Sequence, residues 1–120
     1  MSHKKLPMEA TSQSNHVTVT VDPFGTVACN PDPIPADGRD IHLKFVLNTA
    51  GYVFPQDAAV VVTNPGQEFP EPSRTLPPNA TQATLFDRNS KKGSFKYTVT
   101  VQQVATGKLI EFDPTIDNGP

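Results

Sequence analysis

The residues best suited to chemistry lie near the end of the chain, where Asp113-Pro114 follows the alternating segment Lys108–Phe112. An Asp-Pro bond is the most labile of the common peptide linkages. The Asp carboxyl can attack its own main-chain carbonyl, and the proline nitrogen leaves more readily than an ordinary amide. In most proteins such a pair only makes a turn, since proline fixes φ and lacks an N–H. The neighbouring side chains therefore decide whether this bond is activated.

Two charged side chains are predicted to share a sheet face with Asp113. Alternation along Ser94–Val104 and along the segment after it places Lys96 and Glu111 on the same outer side. If this face were half buried, desolvation would lower the pKa of the lysine and raise that of a carboxylate, as in many active sites. The alternative is a solvated ion pair worth at most ~1 kcal/mol.

The register of the last hairpin stands against a direct contact. A tight turn at Thr106-Gly107 would pair Asp113 with a residue near Thr100 and leave Lys96 opposite Ile116-Asp117. Contact between the lysine and the aspartate would then require a bulge in the long strand or a bend at the proline. The sequence leaves these alternatives open.

Other kinds of site find little support in the sequence. His3, His16 and His42 are not clustered, and Cys29 has no histidine a few residues downstream, so no metal site is predicted. The chain has neither a nucleophile elbow nor a phosphate-binding glycine loop. Cys29 is predicted to be an inert small apolar residue. No cofactor is expected.

Composition excludes several classes of partner. A net charge of −2 with both signs mixed gives no electrostatic footprint for nucleic acid or an anionic membrane. A single cysteine excludes an internal disulfide. We find neither an apolar run long enough to span a membrane nor a secretory signal, so a cytoplasmic protein is expected.

The elements that must position these residues are predicted to be strands. Thirteen prolines and seven glycines between short apolar runs favour many turns and argue against long helices. We therefore predict an all-β, immunoglobulin-like β-sandwich of about seven strands, with residues 1–15 as a flexible tail and residues 16–120 as one domain. The predicted strands are His16–Val21, Thr26–Cys29, Asp40–Leu47, Ala58–Thr63, Ala80–Asp87, Ser94–Val104 and Lys108–Phe112.

Four further expectations concern the remaining segments. Asn30–Gly38 is predicted to be a loop, because three of its nine residues are prolines without an N–H. The continuous apolar centre Val60–Val62 indicates a strand covered on both faces. Asn64–Asn79, with five prolines, is predicted to be irregular. Asn118-Gly119, a pair prone to succinimide formation, is predicted to lie in a frayed tail.

Three segments carry a resemblance to a known family. They are Val17–Pro23, Phe95–Val101 and Phe112–Asn118, and in them the chain resembles the DP-EP family of small bacterial domains. The resemblance extends over nearly the whole domain from about Asn15 onward. It implies a β-sandwich that cleaves itself after an Asp near the C-terminus, retains the short peptide and self-assembles into a homo-oligomer.

The resemblance also implies roles for particular residues. The cleaved bond would be Asp113-Pro114, and Lys96 would be the amine that can become covalently linked to Asp113. An Asp-activated water is the hydrolytic agent implied. Asp113 could act on its own carbonyl, and a second acid could come from Glu111, Glu71 or Asp22.

Two functional hypotheses follow. The first is a self-cleaving endopeptidase whose substrate is its own chain, with Asp113 as catalytic acid, Pro114 in the leaving group and Lys96 capturing or stabilising the acyl species. The second is a non-enzymatic module that recognises a protein or carbohydrate through Asn64–Asn79 and the aromatic pair Tyr52/Phe54. The surroundings of the Lys96 amine discriminate between them.

Overall fold

The chain forms eleven β-strands and no helix within the residues that the computed structural model describes, 15–119. The predicted tail therefore lies outside the described residues, apart from Asn15. The strands are β1 His16–Val21, β2 Val27–Asn30, β3 Ile34–Asp37, β4 Ile41–Leu47, β5 Tyr52–Val53, β6 Val60–Val62, β7 Arg74–Leu76, β8 Gln82–Asp87, β9 Gly93–Gln103, β10 Leu109–Phe112 and β11 Thr115–Gly119.

These strands make two mixed sheets. The first sheet has the order β2-β1-β4-β8-β7, in which β1 and β4 are parallel. The second has the order β10-β9-β11-β3, in which β11 and β3 are parallel, and β5 and β6 also pair with β9. The predicted all-β sandwich is confirmed. The predicted number of about seven strands is wrong, because short strands form in segments that were predicted to be loops.

Alternating apolar residues build the core between the sheets. Along β1, β4 and β9 buried side chains alternate with more exposed ones, as the two-residue period of a strand requires, with the exception of Thr100, which is also buried. Each such apolar side chain contributes about 1.5–3 kcal/mol when fully buried. The rings of Phe45 and Tyr97 meet edge-on, with centroids 5.7 Å apart. Side chains buried on these three strands include Val17, Val19, Val21, Leu43, Phe45, Leu47, Tyr97, Val99 and Val101.

Three segments differ from their predicted structure, and two of them form edge strands of a sheet, β3 and β7. Ile34–Asp37 forms β3 in spite of Pro35, since an edge strand pairs on one side only and its missing N–H can face away from the partner. The strand at Val60–Val62 is not covered on both faces, because Val61 points outward and is 49 % exposed. Part of the predicted irregular segment, Arg74–Leu76, forms β7 against β8.

The last hairpin has a longer loop than predicted. The amide of Gln103 donates to the carbonyl of Lys108 at 2.8 Å, which leaves the four residues Val104–Gly107 in the loop. A tight two-residue turn at Thr106-Gly107 would have given a different register. With the longer loop, Phe112 lies opposite Val99.

The chain after the proline is a strand and not a frayed tail. β11 inserts between β9 and β3, and its side chains alternate between the core and the surface. Ile116 is fully buried and Asn118 is 3 % exposed. The residues after Asp113 therefore complete the second sheet.

Candidate functional site

The Asp113-Pro114 bond lies at a break between two strands that share one partner. β10 and β11 both pair with β9, with Phe112 opposite Val99 and Thr115 opposite Lys96. Phe112 and Thr115 are three positions apart, and so are Val99 and Lys96. The pairing with β9 therefore continues in register across the break. β9 thus acts as a template that holds both sides of the bond.

Lys96 contacts the carbonyl group of this bond. Its Nζ donates a hydrogen bond to the main-chain oxygen of Asp113 at 3.1 Å. The residue opposite Lys96 is Thr115, two positions past the carbonyl, which lies within reach of the long lysine side chain. An ammonium at this position draws electron density from the carbonyl and would stabilise negative charge developing on its oxygen.

Thr98 fixes the carboxylate of the same aspartate. Its Oγ1 donates to Asp113 Oδ1 at 2.7 Å. A two-residue spacing from Lys96 places both side chains on one face of β9. Strand alternation places Thr98 on the outer face beside Lys96, but Thr98 is not among the predicted site residues. The predicted register paired Asp113 with a residue near Thr100, whereas Glu111 lies opposite Thr100 in the structure.

The residues after the bond are held by two further contacts. The amide of Tyr97 donates to the carbonyl of Pro114 at 3.0 Å, and the amide of Thr115 donates to Asp32 Oδ1 at 3.0 Å. Asp32 was missed as a site residue, since 83 positions separate it from Thr115. The parallel pairing of β3 with β11 brings it there.

The other predicted acids lie elsewhere. Glu111 is exposed opposite Thr100 and lines a neighbouring groove. Asp22 accepts the amides of Phe24 and Thr26 at 2.9 Å, so it stabilises a turn. Glu71 lines a groove near Val60–Val62. The carboxylate that the structure places beside Thr115 is therefore Asp32.

The site is open to solvent. Lys96 and Asp113 are both exposed, whereas Pro114 is buried. The burial on which the desolvation hypothesis depends is therefore absent. What the arrangement offers instead is orientation, with a donor on the carbonyl, a fixed carboxylate and both flanking segments anchored.

Cys29 lies outside this arrangement. Its side chain is buried, and burial raises the pKa of the thiol to about 11. A thiol held in this protonated form is a poor nucleophile.

No metal-binding group and no membrane-spanning helix are found in the described range. Within residues 15–119, no three or more His, Cys, Asp or Glu side chains come together as possible metal ligands. No helix that could cross a membrane occurs in the same range.

The surface predicted for a binding module is only partly present. Phe54 is 1 % exposed and packs in the core, so it is unavailable to a partner. The segment Asn64–Asn79 contributes to a groove of about 310 Å³, in which Phe69 is buried. A second groove of about 380 Å³, lined by Val61, Thr98 and Leu109 among others, adjoins the Asp113-Pro114 bond.

The fold and this site define an all-β sandwich with a labile bond anchored on its longest strand. Comparison with known proteins adds no family to this description, because neither a family model nor a curated protein matches the chain.

Proposed function

We propose that this chain is a self-cleaving endopeptidase that breaks its own Asp113-Pro114 bond. The observation that carries the proposal is the 3.1 Å contact between Lys96 Nζ and the main-chain oxygen of Asp113. This oxygen belongs to the carbonyl at which the bond would break. The resemblance to the DP-EP family supports the proposal, because it implies cleavage after an Asp that a strand Lys can reach.

In the first step a carboxylate oxygen of Asp113 attacks its own main-chain carbonyl carbon. A carbon–oxygen bond forms and closes a five-membered anhydride, while the bond to the nitrogen of Pro114 breaks. The nitrogen takes a proton from solvent, to which the site is open. Thr98 holds the carboxylate, and Lys96 stabilises the negative charge on the carbonyl oxygen.

In the second step a nucleophile opens the anhydride. Attack by water restores the carboxylate of Asp113 and completes hydrolysis. Attack by the neutral amine of Lys96 forms an amide bond to Asp113 and releases a proton to solvent. One intermediate therefore accounts for both hydrolysis and the Lys–Asp link. Self-assembly into a homo-oligomer remains a prediction from the family resemblance.

The chain provides its own controls for the experiment. It contains three Asp-Pro bonds, at Asp22-Pro23, Asp32-Pro33 and Asp113-Pro114. Intact-mass spectrometry under denaturing conditions, on protein aged at neutral pH, should show a species without Pro114–Pro120 while the other two bonds stay intact. A Lys96–Asp113 amide would be located by peptide mapping.

Two variants separate catalysis from ordinary lability. Asp113→Ala should abolish cleavage, because it removes the attacking carboxylate. Asp117→Ala removes an exposed carboxylate four residues after Asp113 and should cleave like the parent chain. An unchanged single mass over weeks, or equal scission at all three Asp-Pro bonds, would exclude the proposed activity.

A further inference from the structure

A second group of polar side chains lies inside the sandwich, at the far end of β11. Asp87 and Asn89 are fully buried, and Asn118 is 3 % exposed. Glu68 and Ser90 border them from two loops. Asp87 ends β8 in the first sheet and Asn118 belongs to β11 in the second, so a contact between them bridges the sheets.

The Asn118 carboxamide is the centre of this group. Its Nδ2 donates to Asp87 Oδ1 at 3.1 Å and to Glu68 Oε1 at 3.2 Å. Asp87 Oδ1 also accepts the amide of Asn89 at 2.9 Å. The loop that carries Glu68 is fixed in turn, because Glu68 Oε1 accepts the amide of Ser90 at 2.8 Å. The carboxyl groups of Asp87 and Glu68 therefore both accept hydrogen bonds from the side-chain amide of Asn118.

The remaining oxygens of the pair show what the group lacks. Asp87 Oδ2 and Asn118 Oδ1 are both buried and have no hydrogen-bond partner among the described residues, and Asn89 Oδ1 in the same group also lacks one. All three atoms are acceptors while Asp87 is ionised. A carboxylic acid and a carboxamide, in contrast, form two complementary bonds, with N–H donating to one acid oxygen and the acid O–H donating to the amide oxygen. The N–H bond from Asn118 to Asp87 is present. Asp87 Oδ2 and Asn118 Oδ1 are the two atoms that would form the O–H bond.

We propose that Asp87 and Glu68 form a carboxamide-binding pocket that recognises Asn118, and that a proton on Asp87 fastens the C-terminal strand. The ligand class is an extended peptide with a carboxamide side chain two residues after an apolar one, as in Ile116-Asp117-Asn118. The strand is held most tightly when Asp87 is neutral. Holding β11 in the intact chain does not depend on cleavage. Retention of a cleaved peptide by the same pocket rests on the proposed function.

The electrostatics of the pocket agree with this assignment. Burial raises the pKa of Asp87 to about 6. The hydrogen bonds from Asn89 and Asn118 oppose this rise, and the neighbouring Glu68 adds to it. Glu68 differs, because the Ser90 hydroxyl bonded to it holds the pKa of Glu68 below its ordinary value. Asn89, Ser90 and Asn118, which bond to the pair, do not titrate. The charged residues Arg88 and Lys91 contact Glu68 only through their main-chain amides, and both are exposed. The group that changes protonation near neutrality is therefore Asp87.

The test uses full-length protein carrying Asp113→Ala, which keeps β11 covalently attached whether or not the parent chain cleaves itself. Hydrogen exchange measured by NMR gives the protection of the Ile116 and Asn118 amides after correction for the intrinsic pH dependence. Between pH 4.5 and 7.5 this protection should fall by at least about tenfold. Protection of the β4 amides should fall less.

Two variants sharpen the experiment. Asp87→Asn supplies a permanent N–H donor at the position of the proton, so β11 protection should become independent of pH. Asp117→Asn removes the exposed carboxylate next to Asn118 and should behave like the Asp113→Ala parent. Protection in that parent that does not change with pH, or a pH dependence that survives Asp87→Asn, would overturn the proposal.

A measurement without the Asp87 variant covers the case in which that variant does not fold. The NMR chemical shifts of the Asp87 side-chain carboxyl carbon and of the Asn118 side-chain amide should change together with pH, with one midpoint near pH 6. Asn118 amide resonances that stay fixed while Asp87 titrates would show that the proton does not control this contact.

Discussion

The two ends of the segment Asp113–Asn118 are held by different kinds of contact. At Asp113-Pro114 the polar contacts are exposed, and the side chains of Lys96 and Thr98 meet the aspartate at the surface. At Asn118 the contacts are buried between the sheets, with Asp87 fully removed from solvent. Only a few residues of one strand separate these environments.

The difference separates two tasks. An exposed site with fixed donors can orient a reactive bond and exchange protons with solvent, but it gains little from desolvation. A buried cluster costs free energy whenever a polar atom lacks a partner, so it responds strongly to a single proton. We therefore expect chemistry at the start of the segment and pH-dependent retention at its end.

The largest expected effect on stability comes from Ile116, the buried side chain between the two ends. Ile116→Ala removes a fully buried side chain of β11 and should lower the free energy of unfolding by about 2–5 kcal/mol. Asp117→Ala, its exposed neighbour, should change that free energy by less than ~0.5 kcal/mol. Urea denaturation gives both values. Equal effects would show that β11 does not contribute to the core.

The next effect is the pH dependence of stability. The pKa of Asp87 is raised to about 6 in the folded chain and returns to its ordinary value on unfolding. The folded state therefore binds more protons than the unfolded state between about pH 4 and 6. The free energy of unfolding should fall by roughly 3 kcal/mol as pH rises through this window and then level off.

Asp87→Asn should remove this loss of stability. Denaturation of the variant and of the parent at pH 4.5 and pH 7.5 measures the difference. Glu68 acts in the opposite direction, because its pKa is lowered in the folded chain and its contribution fades below about its ordinary pKa. A parent chain that becomes steadily more stable from pH 4.5 to 7.5 would contradict the assignment.

The donor on the Asp113 carbonyl, Lys96, provides the third comparison. Lys96→Met keeps the length of the side chain and removes the charge, and it should slow cleavage by about 10- to 100-fold. Lys108→Met removes an exposed lysine from the same hairpin and should leave the rate unchanged. Time courses of intact mass give both rates. Equal rates in the two variants would mean that polarisation by Lys96 does not contribute.

The smallest effect is expected at the threonine that fixes the carboxylate. Thr98→Val is nearly isosteric and removes the hydroxyl bonded to Asp113, so the cleavage rate should fall by roughly tenfold, about 1.4 kcal/mol. Thr63→Val, an exposed hydroxyl outside the site, serves as the control in the same mass assay. A faster Thr98→Val chain would show that the hydrogen bond restrains the carboxylate from attack.

Much of the sandwich follows from local patterns. The alternation in β1, β4 and β9 was sufficient to predict which side chains point inward, since a strand has a period of two residues. β3 and β11 were missed because each depends on the other. A proline-containing segment and a seven-residue end become strands only when they pair, and their partners are distant in sequence.

The candidate site was predictable to a similar extent. Asp113, Pro114 and Lys96 followed from bond lability, strand faces and the family resemblance, whereas Thr98 and Asp32 required the register. The Asp87 pocket has a weaker signal in the sequence. Asp87 continues the buried positions of Ala83 and Leu85, and a polar residue at an inward position needs a partner.

Strand alternation and the Asp-Pro pair were sufficient to predict that a labile bond ends the last hairpin and that a lysine lies on the same sheet face. Which atoms meet depends on the register of the folded hairpin. A shift of two residues preserves every strand face but changes every opposing pair, so the face pattern cannot distinguish the two registers. The longer loop at Val104–Gly107 selected the register in which Lys96 reaches the carbonyl of Asp113.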